Sequence, residues 1–209
     1  MTTQIRVNGE TVTVQFVSSD QHVGHTNIAR LAERPFDNTA DTNHMDETLI
    51  ANWNNLVSDT DNVLVLGDIA LGTFEKSIQK WHRFNGTLFL VPGNHDRVSS
   101  LESAARQERF RPMYEDAGFT ILDEVIEIVI DGVESLASHY PYKGDSGTHE
   151  FDRHVRLRPV NEGKPLIHGH THAHAATDDR FPRQFHVGVD AHGYAPVPVT
   201  VIEQWVHTL

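Results

Sequence analysis

Two short apolar runs limit most strongly how this chain can fold. Residues 63–66 (Val-Leu-Val-Leu) and 87–91 (Thr-Leu-Phe-Leu-Val) are almost continuously apolar, which predicts strands buried on both faces. Segments with helical periodicity precede and separate these runs, at residues 25–32, 45–56 and 73–84. Together with an earlier strand, this β-α-β-α-β succession predicts an α/β fold with a partly parallel sheet and helices on its faces.

The rest of the chain is richer in β structure. Residues 4–7 and 11–17 alternate in character around Asn8-Gly9, which is typical of a two-residue hairpin. A helical segment is predicted at residues 99–117. Later strands are predicted at residues 119–122, 125–130, 134–138, 166–167, 184–189 and 197–202. No linker or repeat divides the chain, and 209 residues suit one core, so we expect a single domain over residues 1–209.

Charge and cysteine content exclude several classes of function. The 17 lysines and arginines against 29 aspartates and glutamates give a net charge of −12, which disfavours binding of duplex nucleic acid. The chain has no cysteine, so a metal would need nitrogen and oxygen ligands, and its 15 histidines are unusually many. No apolar run is long enough for a membrane span, and the first residues lack a signal-peptide pattern. We therefore expect a cytoplasmic protein with no membrane partner.

Five short segments rich in metal-binding side chains follow predicted strands. They are Asp20-Gln21-His22, Gly67-Asp68, Gly93-Asn94-His95-Asp96, His139 and Gly169-His170-Thr171-His172. Open α/β sheets place their sites at the carboxyl ends of strands, so we expect these segments to meet. In extended backbone, side chains two residues apart point to the same side, which would let Asp20 and His22 share one ion. Taken singly, the first segment is more typical of a surface turn and the fourth of a structural histidine. The second is equally typical of a capping aspartate.

In this order the five segments resemble the signature of the calcineurin-like metallophosphoesterase family, which runs Asp-x-His, Gly-Asp, Gly-Asn-His-Asp/Glu, a lone His and Gly-His-x-His. The resemblance spans residues 20–172 with every ligand position kept. The flanking residues are similar to the small bacterial and phage phosphoesterases of that family. The resemblance implies a sandwich of two mixed β-sheets flanked by helices, and a phosphoric ester hydrolase with a dinuclear metal centre.

The resemblance also implies a role for each matching residue. The first metal would be held by Asp20, His22 and His172. The second would be held by Asn94, His139 and His170, and Asp68 would bind both metals. Such ligands suit Mn²⁺, which we expect to support activity, and also Zn²⁺, Fe²⁺ or Fe³⁺ and Ni²⁺. A hydroxide bridging the metals would be the nucleophile, and His95 the general acid that protonates the leaving oxygen. Asp96 would orient His95, or else be an exposed turn carboxylate.

Other residues are predicted to contact the substrate or to support the ligands. His25 and Asn94 are expected near the substrate phosphate, although His25 could instead cap a turn. Asp190 follows a late strand and could support a ligand. A basic run that could bind an anion consists of Arg153, Arg156 and Arg158.

The function best supported by these residues is hydrolysis of a phosphodiester, either a nucleotide or another small diester. A phosphomonoesterase and a pyrophosphohydrolase are the alternatives among enzymes, because the predicted ligands contact only the phosphate. A non-catalytic metal-binding scaffold is the alternative outside enzymes, although it would not need both Asn94 and a separate His95. Loops at residues 24–41 and 140–163 are expected to decide the substrate, and the sequence does not indicate the oligomeric state.

Overall fold

The computed structural model describes residues 2–37, 41–145 and 151–209. The strands in chain order are β1 (Thr3–Val7), β2 (Glu10–Val14), β3 (Phe16–Ser18), β4 (Asn62–Val65), β5 (Thr87–Leu90), β6 (Phe119–Ile121), β7 (Val125–Ile130), β8 (Val133–Ser138), β9 (Leu166–His168), β10 (Gln184–His186) and β11 (Val197–Pro198). The α-helices are α1 (Ile28–Leu31), α2 (Asn43–Asn54), α3 (Phe74–Gln79), α4 (Ala104–Asp116) and α5 (Val199–Val206). Within the described ranges no helix is long and apolar enough to cross a membrane.

The strands form two mixed β-sheets flanked by helices. One sheet has the order β10-β9-β8-β7-β1-β2, in which β8, β9 and β10 are parallel and the other neighbours antiparallel. The other sheet has the order β11-β3-β4-β5-β6, in which β3 to β6 are parallel and β11 is antiparallel. The predicted α/β fold, with two mixed sheets and flanking helices, is confirmed.

Strand β4 lies at the centre of the hydrophobic core. Its Val63 and Val65 pack into an apolar cluster with α2 and α3, whereas Leu64 and the following Leu66 pack into the layer between the sheets. All four side chains are fully buried, which confirms the prediction of a strand buried on both faces. Burial of each such side chain contributes about 1.5–3 kcal/mol, so β4 holds the sheet edge firmly where the polar segments emerge.

The start of the chain forms the predicted hairpin but then changes sheets. β1 and β2 pair antiparallel, and Asn8 and Gly9 between them have positive φ angles of 51° and 86°, as a tight hairpin turn requires. The strand predicted at residues 11–17 is divided at Gln15, because β2 belongs to the six-stranded sheet and β3 to the five-stranded sheet. This single connecting residue brings the two sheets face to face.

The strand predicted at residues 197–202 is wrong over most of its length. Only its first two residues form a strand, and helix α5 follows directly. Ile202, Trp205 and Val206 are spaced as on one face of a helix, and they pack into the layer between the sheets. Burial of this face outweighs the β propensity of the Val-Thr-Val-Ile sequence.

The parallel strands bring their carboxyl ends to a common edge of the sandwich. β3, β4 and β5 are neighbours in one sheet, and β8 and β9 are neighbours in the other. The loop after each of these five strands carries one of the five polar segments. Main-chain hydrogen bonds join adjacent loops, from Asp20 N to Gly67 O and from Gly169 N to His139 O, both at 3.0 Å.

Candidate metal centre

The first group of ligand atoms consists of the buried Asp20 and His22 and the half-buried His172. Each side chain places one ligand atom within 4.8 Å of the others, and the rings of His22 and His172 are 5.1 Å apart. Among the residues that the structure describes, neither ring nitrogen of the buried His22 has a hydrogen-bond partner. A bound cation satisfies a buried imidazole nitrogen that is otherwise unpaired beside carboxylates. The three residues predicted to hold the first metal are thus brought together.

The second group consists of Asp20, Asp68 and His139, whose ligand atoms also lie within 4.8 Å of one another. His139 Nε2 is 3.5 Å from Asp68 Oδ2 and 3.1 Å from Asn94 Oδ1. His139 Nδ1 lies 2.7 Å from the main-chain oxygen of Leu66, and a proton on Nδ1 would be donated to that oxygen. This tautomer leaves the Nε2 lone pair directed at the neighbouring ligands.

Asp68 belongs to the second group and also faces the first. Its Oδ2 is 3.6 Å from His22 Nε2 and 3.5 Å from His139 Nε2. Its Oδ1 accepts a hydrogen bond from the main-chain N–H of His95 at 2.8 Å. Asp68 therefore has the position expected of a ligand shared by two ions, and Asp20, which belongs to both groups, is a second carboxylate there.

His170, predicted to hold the second metal, lies beside the second group without belonging to it. Its ring is 5.1 Å from the ring of His139, and its Nε2 is 3.4 Å from Asp145 Oδ1. A carboxylate on one ring nitrogen leaves the other available for a metal, which is common among metal-ligating histidines. Asp145 accepts hydrogen bonds from Arg153 at 2.7 Å and from Arg158 at 3.1 Å. The sequence analysis missed Asp145, because no motif or strand end marks it.

Burial controls the charges in both groups. It raises the pKa of the Asp20 and Asp68 carboxyls and lowers the pKa of the His22 and His139 imidazoles. Neutral imidazole is the form that binds a metal ion. Two buried carboxylates this close repel each other unless a cation lies between them. The donor atoms and their charges therefore fit divalent cations of the kind that accept nitrogen and oxygen ligands.

The backbone is left-handed at five of the predicted ligands. The φ angle is 63° at Asp20, 52° at His22, 57° at Asp68, 71° at His170 and 51° at His172. Each such residue other than glycine costs about 1–3 kcal/mol, and such strain concentrates at functional sites. Asp20 and His22 thus come together from left-handed backbone, and the extended geometry predicted for them is wrong.

Glycines allow the loops to approach closely, and Gly169 offers a test. A Cβ there would overlap Ser19 Oγ and lie 2.6 Å from Asp20 Oδ2. We expect Gly169→Ala to lower the free energy of unfolding by about 1–3 kcal/mol in urea titrations, and to weaken Mn²⁺ binding because it displaces Asp20. Gly132→Ala is the control, since a Cβ there meets nothing within 4 Å. Gly132→Ala should lower the free energy of unfolding by about 1–2 kcal/mol, because φ at this position is positive. It should leave Mn²⁺ binding unchanged. Equal Mn²⁺ affinity of the two variants would contradict this reasoning.

Asp96 does not have its predicted role. Its buried Oδ2 accepts hydrogen bonds from the main-chain N–H groups of Asp68 and Gly93, both at 2.8 Å, and the Tyr114 hydroxyl donates to Oδ1 at 3.4 Å. No contact joins it to the His95 ring within the described part of the chain. Asp96 therefore neither orients His95 nor lies exposed in a turn. It joins the loops after β4 and β5, and burial raises its pKa to about 6.

A cavity of about 330 Å³ opens onto both groups. Besides the ligands, its lining includes His25, His95 and Arg153. His95 Nε2 is 4.0 Å from Asp68 Oδ2 and the His95 side chain is 43% exposed, while the His25 ring is 5.4 Å from the His22 ring. His25 and His95 therefore lie beside the ligands without belonging to either group.

The loops expected to decide the substrate border this cavity, although residues 38–40 and 146–150 within them lie outside the described ranges. Of the three arginines in the basic run, Arg153 lines the cavity and Arg156 is exposed. Arg158 is nearly buried and donates to the main-chain oxygen of Gly144 at 2.8 Å. The run therefore does not form one anion-binding surface.

The structure adds a buried arginine that the sequence analysis missed. Arg34 donates two hydrogen bonds to Asp190, and Asp190 Oδ2 lies 2.8 Å from His172 Nδ1. Asp190 therefore contacts a predicted ligand, His172, which is the position expected if it supports that residue. In the sequence, Arg34 is one arginine in a polar segment, and nothing in its spacing indicates a contact with the site.

No family model matches the chain. The chain is 32% identical over 196 residues to the gene 66 protein of Mycobacterium phage L5, covering 84% of this chain and 86% of that protein. It is 31% identical over 195 residues to the uncharacterized protein MJ1445 of Methanocaldococcus jannaschii, covering 90% and 88%. Among solved structures it is similar to AQ665, a protein of unknown function from Aquifex aeolicus, with a TM-score of 0.64, 21% identity and coverage of 90% and 97%. That likeness shows a shared fold.

Proposed function

The chain belongs to the family that includes the gene 66 protein of phage L5 and protein MJ1445, and we propose that it is a metallophosphoesterase that prefers phosphodiesters. The observation that carries this proposal is the convergence of five loops on two adjoining groups of largely buried ligand atoms, with the loop after β5 contributing Asn94 beside His139. Two such groups, which share the Asp20 carboxylate and have Asp68 facing both, suit the transfer of a phosphoryl group to water.

Seven residues are proposed to hold two divalent cations, of which Mn²⁺ is the one we expect to support activity. One ion would be held by Asp20, His22 and His172, the other by Asn94, His139 and His170, and both by Asp68. When bound, the two ions would neutralise charge on the phosphate and activate the attacking water. The unpaired nitrogens of His22 and the shared position of Asp68 support this assignment.

His95 is proposed to protonate the leaving oxygen from Nε2. Its main-chain N–H is held by Asp68 Oδ1 at 2.8 Å, which ties the position of the acid to the carboxylate shared by both ions. Its ring is partly exposed within the cavity, where it can reach a substrate. His25 and Arg153 are proposed to bind phosphate oxygens. Burial lowers the pKa of His25 to about 4, so it would act as a neutral donor, whereas Arg153 supplies positive charge.

The lining of the cavity supports a diester rather than a monoester as substrate. Ile28, Leu31 and Leu71 add an apolar wall to a cavity that is otherwise lined by polar side chains. A second organic group on the phosphate could lie against this wall and bury apolar surface, which a monoester could not do with the same phosphate placement. The proposed substrates are therefore nucleotide-type or other small diesters.

Hydrolysis of bis-p-nitrophenyl phosphate against p-nitrophenyl phosphate tests the proposal directly. The full chain is stripped of metal and supplied with Mn²⁺, with Zn²⁺, Fe²⁺ and Ni²⁺ in parallel. We expect metal-dependent turnover with the higher kcat/KM for the diester. A higher kcat/KM for the monoester would instead indicate a phosphomonoesterase. No turnover of either ester by protein that binds two ions would overturn the proposed activity in favour of a metal-binding scaffold.

A further inference from the structure

We propose that Arg34 positions the first group, because it joins the two halves of that group through the Asp190 carboxylate and through two main-chain carbonyls. This inference rests on the proposed function, in that it takes Asp20, His22 and His172 as a metal site.

One half of the first group is His172, which Arg34 reaches through Asp190. Arg34 Nε donates to Asp190 Oδ1 at 2.7 Å and Nη2 donates to Oδ2 at 3.2 Å, with both side chains fully buried. Asp190 Oδ2 in turn lies 2.8 Å from His172 Nδ1. A carboxylate on Nδ1 sets the orientation of the imidazole and leaves Nε2 as the nitrogen for the ion.

The other half is the turn that carries Asp20 and His22. Arg34 Nη2 donates to the main-chain oxygen of Asp20 at 2.7 Å, and Nη1 donates to that of Gln21 at 3.1 Å. The backbone is left-handed at Asp20 and His22, so the turn depends on such contacts to keep its conformation. One guanidinium therefore fixes the position of the turn relative to His172.

Only the planar fork of an arginine can make this set of contacts. With a further contact from Nη1 to Met45 Sδ at 3.6 Å, all five N–H donors of Arg34 have an acceptor. Lysine would keep the positive charge beside Asp190, but its three donors radiate from a single nitrogen and cannot span the same acceptors. Arg34→Lys thus separates the geometric role from charge compensation.

Mn²⁺ titration of the metal-stripped full chain by calorimetry tests the inference. We expect Arg34→Lys to weaken Mn²⁺ binding at the first group by about 10- to 100-fold, the usual effect of losing a group that orients a metal ligand, and to leave the other binding event unchanged. His172→Ala identifies which binding event belongs to the first group. Asp190→Asn, which keeps the size of the side chain, should weaken the same event.

Arg83→Lys is the matched control. Arg83 also makes a two-point contact with a carboxylate, Glu47, at 2.6 Å for both hydrogen bonds, but at the surface. The Arg83→Lys variant should bind Mn²⁺ at both sites with wild-type affinity. Far-UV circular dichroism of the metal-free variants checks that each is folded. If Arg34→Lys does not fold, the Mn²⁺ affinity of Asp190→Asn decides the test.

Two outcomes separate the possible failures. Wild-type Mn²⁺ affinity at the first group in folded Arg34→Lys, or in folded Asp190→Asn where that variant decides, would overturn the inference and leave the proposed function intact. A wild-type chain that binds no pair of Mn²⁺ ions would instead overturn the proposed metal centre.

Discussion

Asp68→Asn is expected to lower kcat/KM by about 10³-fold or more, because it removes the carboxylate shared by both proposed ions. Asp68 Oδ2 faces His22 Nε2 and His139 Nε2 at 3.6 and 3.5 Å. An asparagine at this position would keep its amide oxygen as acceptor for the His95 N–H. Its NH₂ group would then take the place of Oδ2 and face both imidazoles, and an NH₂ group cannot bind a cation. Mn²⁺ binding by calorimetry should weaken at both sites, and turnover of bis-p-nitrophenyl phosphate gives kcat/KM.

The metal-free Asp68→Asn protein should be as stable as the wild type or more stable. Burial raises the pKa of Asp68, so in the absence of metal its ionised form is unfavourable in the folded state, and a neutral amide avoids that cost. Asp46→Asn is the contrasting control, because the equally buried Asp46 is paired with Lys80 at 2.7 Å and lies outside both groups. It should lose stability and keep both Mn²⁺ sites. Wild-type Mn²⁺ affinity and turnover in Asp68→Asn would refute the shared-ligand role.

His95→Ala is expected to slow turnover by about 10²- to 10⁴-fold while both Mn²⁺ ions remain bound, because His95 is proposed as an acid and not as a ligand. The loss should be largest for diesters with a poor leaving group. It should be smallest for p-nitrophenyl esters, whose leaving oxygen needs little help from an acid. Steady-state kcat across a leaving-group series measures the effect, and calorimetry measures the retained metal.

His82→Ala is the control for this prediction. His82 is an exposed histidine 3.5 Å from Asp116 Oδ2, and it lies outside both groups and the cavity. It should keep the wild-type dependence on the leaving group. An unchanged rate of His95→Ala on a poor leaving group would exclude His95 as the acid, whereas loss of an ion would make it a metal ligand.

Much of the fold could be predicted because the relevant information is local. The run at residues 63–66 is apolar on both faces, and it forms β4 with side chains in both core layers. The strand at residues 197–202 could not be predicted correctly, since β-branched residues there also present an apolar face at helical spacing. The space between the sheets accepts that face as a helix, and only the assembled core shows this.

By itself, the sequence determined which side chains follow the parallel strands, and hence that Asp20, Asp68 and His139 would meet. Strand ends and short motifs are properties of neighbouring residues, and parallel pairing then brings them to one edge. Only the tertiary structure decided what holds those side chains in place. Arg34 and Asp190 are separated by 156 positions in sequence, and no periodicity links them. Their contact exists only because packing of the two sheets brings distant loops within hydrogen-bonding distance, whereas Asp96 joins the loops of two neighbouring strands within one sheet.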